Sequence, residues 1–95
     1  MNKYELALVI NGRLSDEERD NALQAVKGIV ERFNGKIGEV EDWGKKRLAY
    51  EIQKMHEGFY YFIHFEAESS APVEIESRVR ILEPVLRYLI VKEGE

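Results

Sequence analysis

Hydrophobic and polar residues alternate with a period of two in several short segments of this chain. Tyr4, Leu6, Leu8 and Ile10 alternate with Glu5, Ala7 and Val9, which predicts a first strand whose more apolar phase faces a core. Phe59, Tyr61, Ile63 and Phe65 predict a later strand in the same way, and Leu86, Tyr88 and Ile90 predict the last one.

The middle of the chain follows a less regular pattern. Ile37 and Val40 are out of phase, which predicts a bulge near Gly38, and Leu48, Tyr50 and Ile52 then resume alternation opposite Arg47, Ala49 and Glu51. We therefore interpret residues 37–52 as one long, interrupted strand. The segment 54–58 is predicted to be a short connection that closes a hairpin with the strand starting at Phe59.

Two segments carry helical signals. Ser15 and Glu18 form a capping box that predicts a helix start near residue 16, an apolar stripe recurs at spacings of three and four, and Asn34-Gly35 supplies a left-handed C-terminal cap. A second helix is predicted to begin at Ser69-Ser70-Ala71-Pro72 and to end before Pro84, with a stripe made by Ile75, Val79 and Leu82.

The resulting order, β-α-β-β-α-β, predicts a single α+β domain over residues 1–95 with a ferredoxin-like fold. In this fold a four-stranded antiparallel sheet has both helices on one face. If the apolar phase of each strand lies under the helices, Leu48 and Tyr50 belong to the core. The other sheet face is then open and carries these residues: Glu5, Ala7, Val9, Arg47, Ala49, Tyr60, Phe62, His64, Arg87, Leu89 and Val91. A face this apolar is typical of a protein interface, a homodimer included.

Composition limits the classes of function. The chain has 95 residues, no cysteine and a net charge of −4, so bulk charge does not hold it to nucleic acid without a local patch or a basic partner. No segment is apolar enough to span a membrane, the first residues lack a secretion signal, and the missing cysteines fit a reducing cytoplasm.

Enzymatic and metal sites find little support. Asn11-Gly12-Arg13 occupies the loop that an acylphosphatase of this fold would use, but the loop is short and lacks a glycine-rich anion nest. His56 and His64 are the two histidines of the chain, have no third ligand clustered in sequence, and are interpreted as surface groups, so no metal or cofactor is predicted.

The densest positive charge lies in Asp42-Trp43-Gly44-Lys45-Lys46-Arg47-Leu48-Ala49-Tyr50, and the densest aromatic run is Gly58-Phe59-Tyr60-Tyr61-Phe62. The aromatic run partly resembles the motif of RNA-recognition-motif domains, whose stacking pair would be Phe59 and Tyr61. Glu57 in place of a basic residue, and the apolar phase of that pair, argue against base stacking.

The central Trp-Gly-basic-Arg-Leu-Ala-Tyr run, Lys3-Tyr4-Glu5 at the start and Arg87-Tyr88-Leu89-Ile90-Val91-Lys92 at the end together resemble the bacterial small-subunit ribosomal protein S6 family over essentially the whole chain. The resemblance implies a cytoplasmic, non-enzymatic protein of the ribosome. Such a protein pairs with ribosomal protein S18 and then binds the central domain of the small-subunit ribosomal RNA.

The resemblance also suggests site residues. Lys3, Arg87 and Lys92 are expected to contact RNA, and contacts to the partner or to phosphate are expected from a further group: Lys45, Lys46, Arg47, Ala49, Tyr60 and Phe62. Trp43 is either an interface anchor or a cover for the base of the hairpin. The chain is expected to be a monomer or weakly self-associated when isolated, and the alternative function is a self-associating, small-molecule-binding regulatory domain of the same fold.

Overall fold

The structure, a computed structural model, describes residues 1–52 and 55–94, and for residues 49–52 and 55 it describes the backbone alone. The elements follow the predicted order: β1 (Asn2–Asn11), α1 (Asp16–Arg32), β2 (Lys36–Ile52), β3 (Met55–Ala67), α2 (Ala71–Val79) and β4 (Val85–Lys92). All neighbouring strands are antiparallel, in the sheet order β2-β3-β1-β4. The ferredoxin-like prediction is confirmed.

The core lies between one sheet face and the two helices. The apolar phases of β1 and β3 supply Leu6, Leu8, Ile10 and Ile63, while the helices supply a matching set with little or no exposure: Val26, Val30, Ile75 and Val79. Since side chains alternate between the two faces of a strand, burying this phase leaves the other phase on the far side of the sheet.

The ends of α1 agree with the sequence signals. The backbone N–H of Glu18 donates to Ser15 Oγ over 3.2 Å, and the backbone N–H of Ser15 donates to Glu18 Oε1 over 3.0 Å, so the capping box is present. At the other end Asn34 takes the left-handed conformation with φ of 65°, and the N–H of Gly35 donates to the carbonyl of Val30 over 2.9 Å. This pairing is a Schellman cap.

One predicted boundary is wrong, and so is the place of one residue in the predicted second helix. Residues 55–58 belong to β3 rather than to a connection, because Arg47 pairs with Glu57 and brings opposite charges together across the hairpin. Residue 54 lies outside the described residues. Helix α2 ends at Val79, and Leu82 packs against the core from the turn that follows, where its N–H donates to the carbonyl of Val79 over 3.1 Å.

Strand β2 carries more than the predicted bulge. Ile37 pairs with Phe65 and Val40 with Ile63, so one extra residue is accommodated beside Gly38, as predicted. A second bulge lies at Trp43, because Asp42 pairs with Tyr61 whereas Gly44 already pairs with Tyr60. Gly44 has φ of 77°, a conformation that suits glycine.

No helix within residues 1–52 and 55–94 has both the length and the apolar character needed to cross a membrane.

Candidate interaction surface

The sheet face away from the helices, called the open face below, is built from residues that pair across β3, β1 and β4. Antiparallel partners lie on the same side of a sheet, so the pairings group them into rows. The rows are His64 with Glu5 and Val91, Phe62 with Ala7 and Leu89, and Tyr60 with Val9 and Arg87. The open face predicted for these three strands is confirmed.

An apolar strip runs through these rows: Ala7, Val9, Tyr60, Phe62, Leu89 and Val91. Leu89 is 59% exposed and Val91 is 41% exposed. Trp43 extends the strip onto β2, since its ring lies 4.9 Å from the ring of Phe62 while 53% of the residue remains exposed. Contiguous apolar surface of this kind is typical of a binding surface.

The bulge at Trp43 exchanges the sheet faces on which the side chains of the basic run, residues 45–47, lie. Gly44 and Lys46 pair with Tyr60 and Gly58 on the open face, whereas Lys45 pairs with Phe59 on the helix side. Arg47 pairs with Glu57 and therefore shares the helix-side phase. The prediction that Arg47 belongs to the open face is wrong, because the extra residue shifts every later side chain to the opposite face.

Leu48 is buried, as predicted, but on the other side of the sheet. A Cβ placed on Gly58 would lie 2.5 Å from Val9 Cγ1 and 3.6 Å from Leu48 Cδ2, so both side chains pack over this glycine on the open face. Leu48 is 9% exposed and Val9 is 8% exposed. The prediction that Leu48 lies under the helices is wrong, because the extra residue at Trp43 shifts it to the open face, as it shifts Arg47 to the helix side. The side chains of Ala49 and Tyr50 lie outside the described part of the structure.

The cations on the helix side of the hairpin do not form a purely basic patch. The Lys45 ammonium lies 5.4 Å and the Arg19 guanidinium 4.5 Å from the centre of the Phe59 ring. Acidic groups lie nearby, because Arg19 pairs with Asp16 over 3.5 Å and Asp42 pairs with Tyr61 in the sheet. Phe59 and Tyr61 are 7% and 3% exposed, so neither presents a ring for base stacking.

His64 is the centre of a carboxylate cluster, defined here as Glu5, Glu41 and Glu93. Its Nε2 lies 2.7 Å from a carboxylate oxygen of Glu41 and 3.7 Å from one of Glu5, and its Nδ1 lies 2.6 Å from one of Glu93. The interpretation of His64 as an ordinary surface group is wrong. Its partners are distant in sequence, and only the register of the sheet brings them together.

The hydrogen bond to Glu41 is the largest cause that raises the pKa of His64, and Glu93 and Glu5 add to it against the opposing effect of burial. The Trp43 indole N–H donates to Glu41 over 3.0 Å, and this bond together with His64 lowers the pKa of Glu41. Two sets of three ligand atoms lie within 4.8 Å of one another, close enough for a metal ion: one from Glu5, His64 and Glu93, and one from Glu39, Glu41 and His64. A doubly protonated imidazole satisfies the carboxylates on both of its nitrogens but is not a metal ligand, and we interpret this arrangement as an ion-pair network.

The three residues predicted to contact RNA are not brought together. Lys3 and Lys92 lie at one end of the sheet, where Lys92 pairs with Tyr4. Arg87 pairs with Val9, roughly 20 Å from Lys3 at about 3.3 Å per residue along β1. Lys3 also lines a cleft of about 320 Å³ beside the Gly38 bulge, together with Lys36, Glu39, His64, Glu66 and Glu93.

Comparison with known proteins decides what kind of protein carries this surface. The family model for ribosomal protein S6 matches residues 3–92, nearly the whole chain. The chain belongs to the ribosomal protein S6 family.

Individual members of the S6 family are similar to this chain over nearly its whole length. The chain is 38% identical over 92 residues to small ribosomal subunit protein bS6 of Alkaliphilus oremlandii, with 97% of each protein covered. It is 39% identical over 95 residues to the protein of that name from Clostridium perfringens strain 13, with both proteins fully covered.

A solved structure supports the fold independently. The crystal structure of 30S ribosomal protein S6 from Thermotoga maritima matches with a TM-score of 0.91 at 33% identity, covering 97% of this chain and 87% of that one. The chain is therefore a structural constituent of the small ribosomal subunit, not an enzyme, and its location is the ribosome in the bacterial cytoplasm. The acylphosphatase alternative is excluded by this membership.

Proposed function

We propose that this S6 protein binds the central domain of the small-subunit ribosomal RNA together with ribosomal protein S18, which docks on the open face. The observation that carries the proposal is the apolar strip with Trp43 beside it. Both helices pack on the opposite side of the sheet, and Leu89 and Trp43 remain more than half exposed. Covering such a surface with a partner removes apolar area from water, which favours association.

Charge supports a basic partner. The chain has a net charge of −4, so it repels RNA at long range unless another protein supplies positive charge. The carboxylate cluster lies on the open face beside the strip, where Glu41 pairs with Phe62 and Glu5 with His64. An acidic protein that presents its acids to a basic partner forms a joint surface with less repulsion toward phosphate.

The RNA contacts are proposed at the rim of this surface. Lys3 and Lys92 lie at one end of the sheet, where Lys92 pairs with the buried Tyr4 and therefore has the helix-side phase. Arg87 and Lys46 lie on the open face toward the other end. Lys45 and Arg47 face the helix side of the hairpin and are proposed as separate phosphate contacts. Each lysine or arginine that neutralises a phosphate adds about one unit to the salt dependence of binding.

Leu89→Asp tests the docking surface, because it places a charge in the centre of the strip at a side chain that is 59% exposed and adds little to the fold. Ile81→Asp is the matched control, since Ile81 is 70% exposed in the turn after α2. We expect Leu89→Asp to weaken the pair with S18 at least tenfold and Ile81→Asp to leave it unchanged. Equal affinities for both variants would contradict docking on the open face.

The RNA step is measured by gel-shift titration of a central-domain RNA fragment with this chain, with S18 and with both, at two salt concentrations. Binding that needs both proteins and weakens with salt supports the proposal. No binding in any combination, together with a stable homodimer at micromolar concentration, would favour the self-associating regulatory domain, which would cover the same strip with a second copy.

A further inference from the structure

His64 makes contacts on the open face that neither the fold nor the apolar strip explains. It sits on β3 in the middle of the sheet, and it joins Glu41 on the edge strand β2 to Glu93, which follows the other edge strand β4. The side chain of His64 is 23% exposed, and those of Glu41 and Glu93 are each 33% exposed. A partner on the open face would cover all three.

The geometry favours a charged ring. A neutral imidazole has one N–H, whereas carboxylate oxygens lie 2.6 Å from Nδ1 and 2.7 Å from Nε2. Ionised carboxylates accept and do not donate, so with both of them ionised the two hydrogen bonds form together only when both nitrogens of His64 carry protons. Removal of one proton would leave a lone pair facing a carboxylate and would break one of the two bonds.

The charge around the ring remains negative even with this proton. Glu5 approaches from β1, Glu39 and Glu41 from β2, and Glu93 from the segment after β4. Lys3, Lys36 and Glu66 line the adjoining cleft, and of these only the lysines offset the acids. The carboxylates next to His64 therefore outnumber its single positive charge, and a cationic side chain from a docked protein would complement them.

We propose that a basic protein docked on the open face places a lysine or arginine against Glu5, Glu41 and Glu93, and that docking releases the proton of His64. The inference rests on the proposed function in one respect, namely that the open face is where the partner binds. The incoming cation repels the imidazolium and competes for its carboxylates, so the proton is bound less tightly in the complex than in the free chain.

The sign of the pH dependence follows from this difference. The complex holds fewer protons than the separated proteins, so affinity rises with pH between the pKa of His64 in the complex and its raised value in the free chain. For one released proton the gain cannot exceed tenfold per pH unit, and we expect roughly threefold to tenfold between pH 6.5 and 8.5.

The experiment titrates S18 into this chain by isothermal calorimetry across that pH range, in two buffers with different ionisation enthalpies. The difference between buffers counts the protons released by the wild-type proteins, so this readout needs no variant. His64→Gln removes the titrating group, and His56→Gln is the matched control because the chain has two histidines.

We expect proton release and rising affinity for the wild-type chain and for His56→Gln, and a smaller proton release with a flatter pH profile for His64→Gln. If S18 binds but the proton count does not differ between wild type and His64→Gln, the inference is overturned while the docking proposal stands. If S18 does not bind at any pH, the proposed function fails first and the inference falls with it.

Discussion

Trp43 offers the sharpest test of whether the open face is an interface, because the structure divides its surface between the fold and the solvent. The indole packs against Phe62, with ring centres 4.9 Å apart and ring planes tilted by 59°, donates to Glu41, and leaves the residue 53% exposed. The change proposed is Trp43→Ala. This change removes the buried half of the Trp43 surface from the fold and the exposed half, which is of similar area, from the contact with any docked partner.

Both magnitudes follow from the exposed fraction. A tryptophan side chain has about 200 Å² of surface, so roughly 100 Å² is already buried against the sheet, worth about 2.5 kcal/mol at most. Since alanine keeps part of this contact and the unfolded chain buries some as well, we expect a loss of about 1–2 kcal/mol in the free energy of unfolding. The exposed half can contribute about 2–3 kcal/mol to a partner that buries it, which corresponds to roughly 30-fold to 150-fold in affinity.

The assay pairs urea unfolding of the variant with its affinity for S18. Ile81→Ala is the control, since Ile81 is 70% exposed in the turn after α2 and should change neither quantity much. A stability loss of the expected size with an affinity within twofold of wild type would refute the anchor role. Trp43 would then be only a cover for the base of the hairpin, the alternative that the sequence left open.

Other predictions concern the isolated chain. Gly28→Ala should raise the free energy of unfolding by about 0.5–1 kcal/mol, because Gly28 is an exposed residue of α1 with no heavy atom within 4 Å of an added Cβ. Gly35→Ala should lower the free energy of unfolding, because its Cβ would lie 2.6 Å from a side-chain atom of the core residue Val30. Urea unfolding measures both changes. Ser15→Ala should cost about 1 kcal/mol through loss of the capping box, visible in the same assay. The raised pKa of His64 stabilises the fold below the pKa of unfolded histidine and stops doing so as pH rises through the folded value. His64→Gln should therefore lower the melting temperature more at pH 6 than at pH 9, and an equal loss at both would contradict the ion-pair network.

The sequence predicted the parts of the surface that depend on strand alternation alone. Tyr60 and Phe62 lie on the open face as expected, because β3 and β1 pair without a shift from Asn2 to Asn11. The expectation failed in β2 beyond Trp43, where one extra residue exchanges the two faces. Glycine after tryptophan was the available signal, since Gly44 adopts a φ of 77° that favours a bulge.

The sequence by itself determined the order of elements, the capped helix and the family. Capping boxes, two-residue periods and a specific motif each involve residues close together in the chain, so they can be recognised without knowing the tertiary contacts. Only the tertiary structure decided which side Lys46, Arg47 and Leu48 face and that His64 meets Glu5, Glu41 and Glu93. These outcomes depend on the register between strands that are far apart in the chain. Register is fixed by the packing of the whole sheet on its helices rather than by any single segment.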